Sequence, residues 1–144
     1  FDWQTLVKNN RQPHVISLDS GIAGLSLGSN KATLKSTLGQ PDLMINLSSR
    51  KTAWVYGNNL VFNFNRDIVT RYKLVGAGDN YGNARCNDCL YVGQSLHNLD
   101  NQSPLEKTAQ GHYAFDVRGL QYLLLSHNDS KKGRIDEIEV VTQE

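Results

Sequence analysis

The stretch GLSLGSNKATLKSTLGQP, residues 24–41, decides how the fold is read. Leu25 and Leu27 flank Ser26, a short alternation of the kind strands show. Gly28 turns the chain. Ser29 or Asn30 then offers a side-chain oxygen that can accept a bond from the open N–H groups of a first helical turn. Ala32, Leu34, Lys35 and Leu38 predict a short helix with one apolar stripe. Gly39 supplies a left-handed stop and Pro41 forbids continuation. The segment reads as strand end, turn, helix and abrupt termination.

Outward from it, four strand-like runs follow: LMINL, TAWVYG, LVFNFN and VTRYKLV. Trp54 and Tyr56, and Leu60, Phe62 and Phe64, fall at period two, which predicts an antiparallel meander after the helix. The same order returns later. LYVGQSLHNL (90–99) parallels LSLGSNKATL (25–34), Pro104 stands where Pro41 stood, Tyr113 and Phe115 match Trp54 and Tyr56, and IDEIEVV matches VTRYKLV. A divergent internal repeat is expected. The polar loop SHNDSKKG lengthens the last hairpin of the second copy. The expected organisation is an N-terminal segment with a short helix (1–20), a first helix-plus-meander unit (21–76), a linker carrying two cysteines (77–89), and a second unit (90–144). The fold class expected is α+β, with two antiparallel sheets side by side.

The 144 residues suit one ordinary domain or two very small ones. With 39% hydrophobic and 20% charged residues the composition is that of a soluble globular chain, and no apolar run reaches the roughly 18 residues of a membrane span. A net charge of +1 provides no global attraction to nucleic acid. Its distribution is uneven: residues 1–75 hold nine Lys/Arg against four Asp/Glu, and residues 76–144 hold six against ten. The first residue is Phe1 rather than Met, which a removed signal peptide or a trimmed start would explain.

Cys86 and Cys89 lie in RCNDCLY. Zinc wants about four ligands, and the spacing of His97 and His112 from this pair fits no zinc pattern. A thioredoxin-type motif needs a strand before and a helix after it, whereas a Gly/Asn-rich loop precedes and a strand-like run follows. A local disulfide is the favoured reading, implying an oxidising compartment. No metal and no cofactor is expected.

The run LGSNKATLKSTLGQPD followed by WVYG and LVFNFNRDIV resembles BamE/SmpA-type envelope lipoproteins and the β-lactamase inhibitory protein family. That resemblance implies tandem helix-on-sheet units, non-enzymatic protein binding, and a periplasmic or secreted location. The match is fair from Gly28 to Val75; in the second half LG-x-P is replaced by NQSP, and no lipid-bearing cysteine is present.

The function expected is that of a protein-binding module, most concretely an inhibitor or immunity protein that covers a toxin's or enzyme's active site. An envelope scaffold of the BamE type is the alternative. A third possibility is a small hydrolase using His14, His97, His112 or His127. No G-x-S-x-G or phosphate-binding glycine loop supports chemistry. Candidate contact residues are the aromatic positions Trp54, Tyr56 and Tyr113, together with Arg71, Lys73, Asp136, Glu137 and Glu139. Arg71/Lys73 and Glu137/Glu139 occupy equivalent places in the two halves with opposite charge, poised to bridge the halves or to address a partner. An acidic second half led by Asp136, Glu137 and Glu139 would suit a nuclease as target.

Overall fold

The computed structural model describes residues 15–18, 21–57, 60–75, 89–92, 94–102, 104–126 and 133–142. The helix expected before residue 12, most of the linker, and His14 and His127 lie outside them. So does the disulfide, since Cys86 is outside and Cys89 enters only through its backbone.

In chain order the elements are β1 (Val15–Ser17), β2 (Gly21–Ile22), α1 (Lys31–Leu38), β3 (Leu43–Asn46), β4 (Lys51–Tyr56), β5 (Leu60–Asn65), β6 (Ile68–Val75), β7 (Cys89–Tyr91), α2 (Leu96–Gln102), β8 (Glu106–Lys107), β9 (Tyr113–Val117), β10 (Leu120–Leu125) and β11 (Glu137–Thr142). β1 is flanked by β2 and β7 in a small sheet. The remaining strands form one antiparallel sheet in the order β3-β4-β5-β6-β11-β10-β9-β8.

This corrects the expected α+β class. The molecule is mostly β, and the helices among the described residues, of eight and seven residues, are too short to make a layer of their own. Nor do the two meanders form separate sheets side by side. Tyr72 and Leu74 of β6 pair directly with Val140 and Ile138 of β11, so hydrogen bonds run unbroken where a gap was expected. The reason lies in the seam residues. On one face the strands carry large apolar side chains, Tyr72 and Leu74 against Val140 and Ile138, and on the other complementary charge, so pairing satisfies two backbones and four ionic groups at once.

Period two sorts the large sheet into rows. Tyr56, Leu60, Leu74, Ile138, Leu124 and Tyr113 stand side by side across six strands. A second row runs Trp54, Phe62, Tyr72, Val140, Tyr122 and Phe115. All of these except half-buried Phe115 are buried, and Leu34 of α1, Leu96 and Leu99 of α2, and Ile16 and Leu90 of the small sheet join the same core. Aromatic pairs add edge and stacked contacts, with Trp54 and Phe64 at 4.9 Å and Phe115 and Tyr122 at 5.1 Å between centroids.

The opening segment is built from local chemistry. Ile22 and Leu25 exchange backbone bonds across Ala23 and Gly24, both at positive φ, so a tight turn stands where a Leu25–Leu27 strand was expected. Asn30 caps α1 by accepting the Thr33 N–H at 2.9 Å. Gly39, at φ 83°, ends the helix, its N–H donating to the Lys35 carbonyl. The Tyr56 hydroxyl donates to the Gly39 carbonyl at 3.0 Å and ties the helix end to β4.

Candidate protein-binding surface

The positions between the core rows form the outer face of the large sheet. At its centre sit four of the charges singled out from sequence. Lys73 Nζ lies 2.9 Å from Glu137 Oε1 and 3.6 Å from Glu139 Oε2, and Arg71 Nη1 lies 3.7 Å from Glu139 Oε1. The Glu137 hydrogen bond, foremost, pushes the Lys73 pKa above its ordinary 10.5 against the opposing effect of burial. These groups pair with one another across the β6–β11 seam, so little charge is left for a partner. Beside them Thr70, Gln121, Asp116 and Thr142 border a shallow polar depression of about 630 Å³. Asp136 is half-buried just ahead of β11, its N–H donating to the Leu125 carbonyl at 2.8 Å.

The aromatic candidates are placed otherwise than expected. Trp54, Tyr56 and Tyr113 are each 6% exposed or less. Alternation shows that residues share a face but not which face is covered, and these three point into the core. Burial first, and the Asp42 carboxylate second, push the Tyr56 phenol up to about 12. Tyr72 shifts upward too, mainly by burial, and its hydroxyl has no hydrogen-bond partner among the described residues. His97 lies exposed on α2. His112 lies in the turn before β9, where its backbone exchanges bonds with Thr108. Among the described residues no three His, Cys, Asp or Glu side chains gather as metal ligands.

The two edges of the large sheet differ sharply. β8 is two residues long, Glu106 and Lys107, both charged. Short length and charge are the usual protection of an open edge. The opposite edge has neither. On β3 and the residue after it, Leu43, Met44, Ile45 and Leu47 are 54%, 52%, 38% and 57% exposed. Leu43 and Ile45 stand beside Val55 and Ala53 on the outer face, and Met44 stands beside Trp54 on the other. Alternate backbone groups of such a strand point away from the sheet. The sequence reading marks LMINL as a strand but does not single it out, because nothing in its own residues says that it lies at an edge.

No family model and no curated protein matches the chain. Among solved structures it is similar to an extracellular protein containing a SCP domain from Bacillus anthracis, with 12% identity and a TM-score of 0.61 over 81% of this chain and 44% of that one. It is similar to a cysteine-rich secretory protein from Staphylococcus aureus, with 14% identity and a TM-score of 0.57 over 83% of this chain and 44% of that one. A DUF4309 family protein from Bacillus subtilis gives 13% identity and a TM-score of 0.56, over 85% of this chain and 84% of that one. This chain thus spans less than half the length of the first two, and at such identities the likeness concerns the fold alone. These neighbours replace the BamE/SmpA and β-lactamase inhibitory protein resemblance. The motif behind that resemblance, a capped helix, a Gly/Pro stop and an aromatic hairpin, is local chemistry that many folds share.

Proposed function

We propose that this chain is a non-catalytic protein-binding module that engages its partner along the β3 edge. One observation carries the reading: four apolar side chains, Leu43, Met44, Ile45 and Leu47, are exposed along one edge strand that no other described strand pairs on its outer side, while the opposite edge is short and charged. Contiguous exposed apolar surface marks interaction sites. Two structural neighbours are described as extracellular or secretory, which supports a role outside the cell or in the periplasm. Within this class an inhibitor or immunity protein suppresses its partner's activity on binding, and an envelope scaffold leaves it intact.

A photo-crosslinker at Met44, with a control at Lys107 on the guarded edge, tests the site in the source cell. The crosslinked partner is then purified and its affinity measured for the wild type and for Leu43→Lys. Leu43 is exposed, so the variant keeps its fold. Crosslinking at 44 only, and at least tenfold weaker binding by Leu43→Lys, is the expected result. Equal crosslinking at both edges, or unchanged affinity, would refute the reading. Assaying the partner's own activity with and without the chain separates inhibitor from scaffold.

A further inference from the structure

We infer that the β3 edge accepts an extended segment in which apolar residues alternate with Asp or Glu, added as a further antiparallel or parallel strand. This rests on the protein-binding reading of that edge and names the partner's chemistry. Strands in a sheet lie about 4.8 Å apart, so a segment added outside β3 runs about 10 Å from β4. Its side chains alternate between two faces. Those on the outer face meet Leu43 and Ile45, with Val55 and Ala53 behind them, a surface that suits apolar groups. Those on the other face lie beside Met44, in register with Trp54. Above the Trp54 ring stand two ammonium groups from α1, Lys31 Nζ at 5.7 Å and Lys35 Nζ at 5.5 Å from its centroid. Among the described residues neither forms an ion pair.

The surrounding charge agrees. Residues 31–67 hold five basic side chains, Lys31, Lys35, Arg50, Lys51 and Arg66, against Asp42 and Asp67 alone. The Asp42 carboxylate is already engaged, accepting the Gly57 N–H. A carboxylate brought in beside Met44 therefore meets unneutralised positive charge on one face while its neighbours bury apolar surface on the other. A second copy of this chain fits less well. Its own β3, Leu-Met-Ile-Asn, carries no acid to face the lysines, and self-pairing would bring both lysine pairs to one seam. Strand addition of this kind takes affinity from backbone bonds and specificity from alternate side chains.

The test uses capped six-residue peptides of alternating valine and glutamate, their valine–lysine counterparts, and a glutamate peptide of scrambled order, titrated into the isotopically labelled chain. The expected result is that the alternating acidic peptide alone shifts the amide signals of residues 43–47. It should bind at least tenfold tighter than the basic one and weaken as salt rises. Replacing both lysines, Lys31→Glu with Lys35→Glu, should invert the preference, with unchanged circular dichroism as the folding control. Equal binding of acidic and basic peptides, no binding of either, or concentration-dependent dimerisation through residues 43–47 would overturn the inference. The two readings fail separately. A natural partner whose affinity falls with Leu43→Lys but not with the paired lysine replacement keeps the binding edge and removes the acidic segment.

Discussion

Replacing Tyr56 by phenylalanine should produce a stability difference that changes sign with pH. The wild-type hydroxyl donates to the Gly39 carbonyl at 3.0 Å, across 17 residues of chain. A hydrogen bond of this kind contributes about 1 kcal/mol net, so Tyr56→Phe should cost about 1 kcal/mol at pH 7. In alkali the same phenol becomes a liability. Unfolded, it ionises near its ordinary 10; folded, burial and the Asp42 carboxylate push it up to about 12. The folded state therefore holds the proton more tightly. Its stability is intact below pH 10 and is lost as pH rises toward 12. At 1.36 kcal/mol per pKa unit the loss approaches about 2.7 kcal/mol. The wild type's 1 kcal/mol advantage should vanish near pH ~10.7, and above that the phenylalanine variant, with nothing to ionise, should be the more stable. Urea unfolding of both proteins at pH 7, 9, 10, 10.5, 11 and 11.5 reads the difference directly. A gap that stays constant through pH 11.5 would show that the phenol is not held neutral by its surroundings, and the placement of Tyr56 in the core would be refuted.

Three further outcomes follow from local geometry. Asn30→Ala removes the side chain that accepts from the Thr33 N–H and hydroxyl, both at 2.9 Å, and should lower stability by about 1 kcal/mol in chemical denaturation. Gly21→Ala places a methyl 2.0 Å from the Leu25 carbonyl oxygen at φ +77°, and should destabilise by about 3 kcal/mol or more, whereas Gly24→Ala, at φ +79° with open space around it, should cost only about 1 kcal/mol; paired thermal melts distinguish them. A double-mutant cycle of Lys73→Met with Glu137→Gln should give a coupling of about 0.5 kcal/mol, because the Lys73 side chain is 39% exposed and solvent screens the pair. The folded Lys73 pKa is raised, so this coupling is present below pH 10.5 and should disappear as pH climbs through the raised value.

Much of the local structure was legible because it is set by local chemistry. Asn30, Gly39 and Pro41 bracket a helix whatever surrounds them, and the alternation in LVFNFN and TAWVYG marks strands in any sheet. What stayed hidden depends on relations between distant residues. Alternation placed Trp54 and Tyr56 on one face, but only the packing of Leu34, Leu96 and Ile16 against that face makes it the interior. Arg71 and Lys73 could be matched in position with Glu137 and Glu139, yet the matching left open whether they meet each other or something else; the register of β6 against β11 decides it. The same holds for LMINL. Its apolar run is compatible with a central strand, and only the strand order puts it at the boundary.

The seam between β6 and β11 has a consequence for how the protein is made. β6 ends at Val75, and the strand that covers it begins at Glu137. Without residues 137–142, β3 to β6 and β8 to β10 have two bare inner borders and no strand between them. Those borders carry Tyr72, Leu74, Tyr122 and Leu124, and the pairing of residues 137–142 with both is the step that closes them into one sheet.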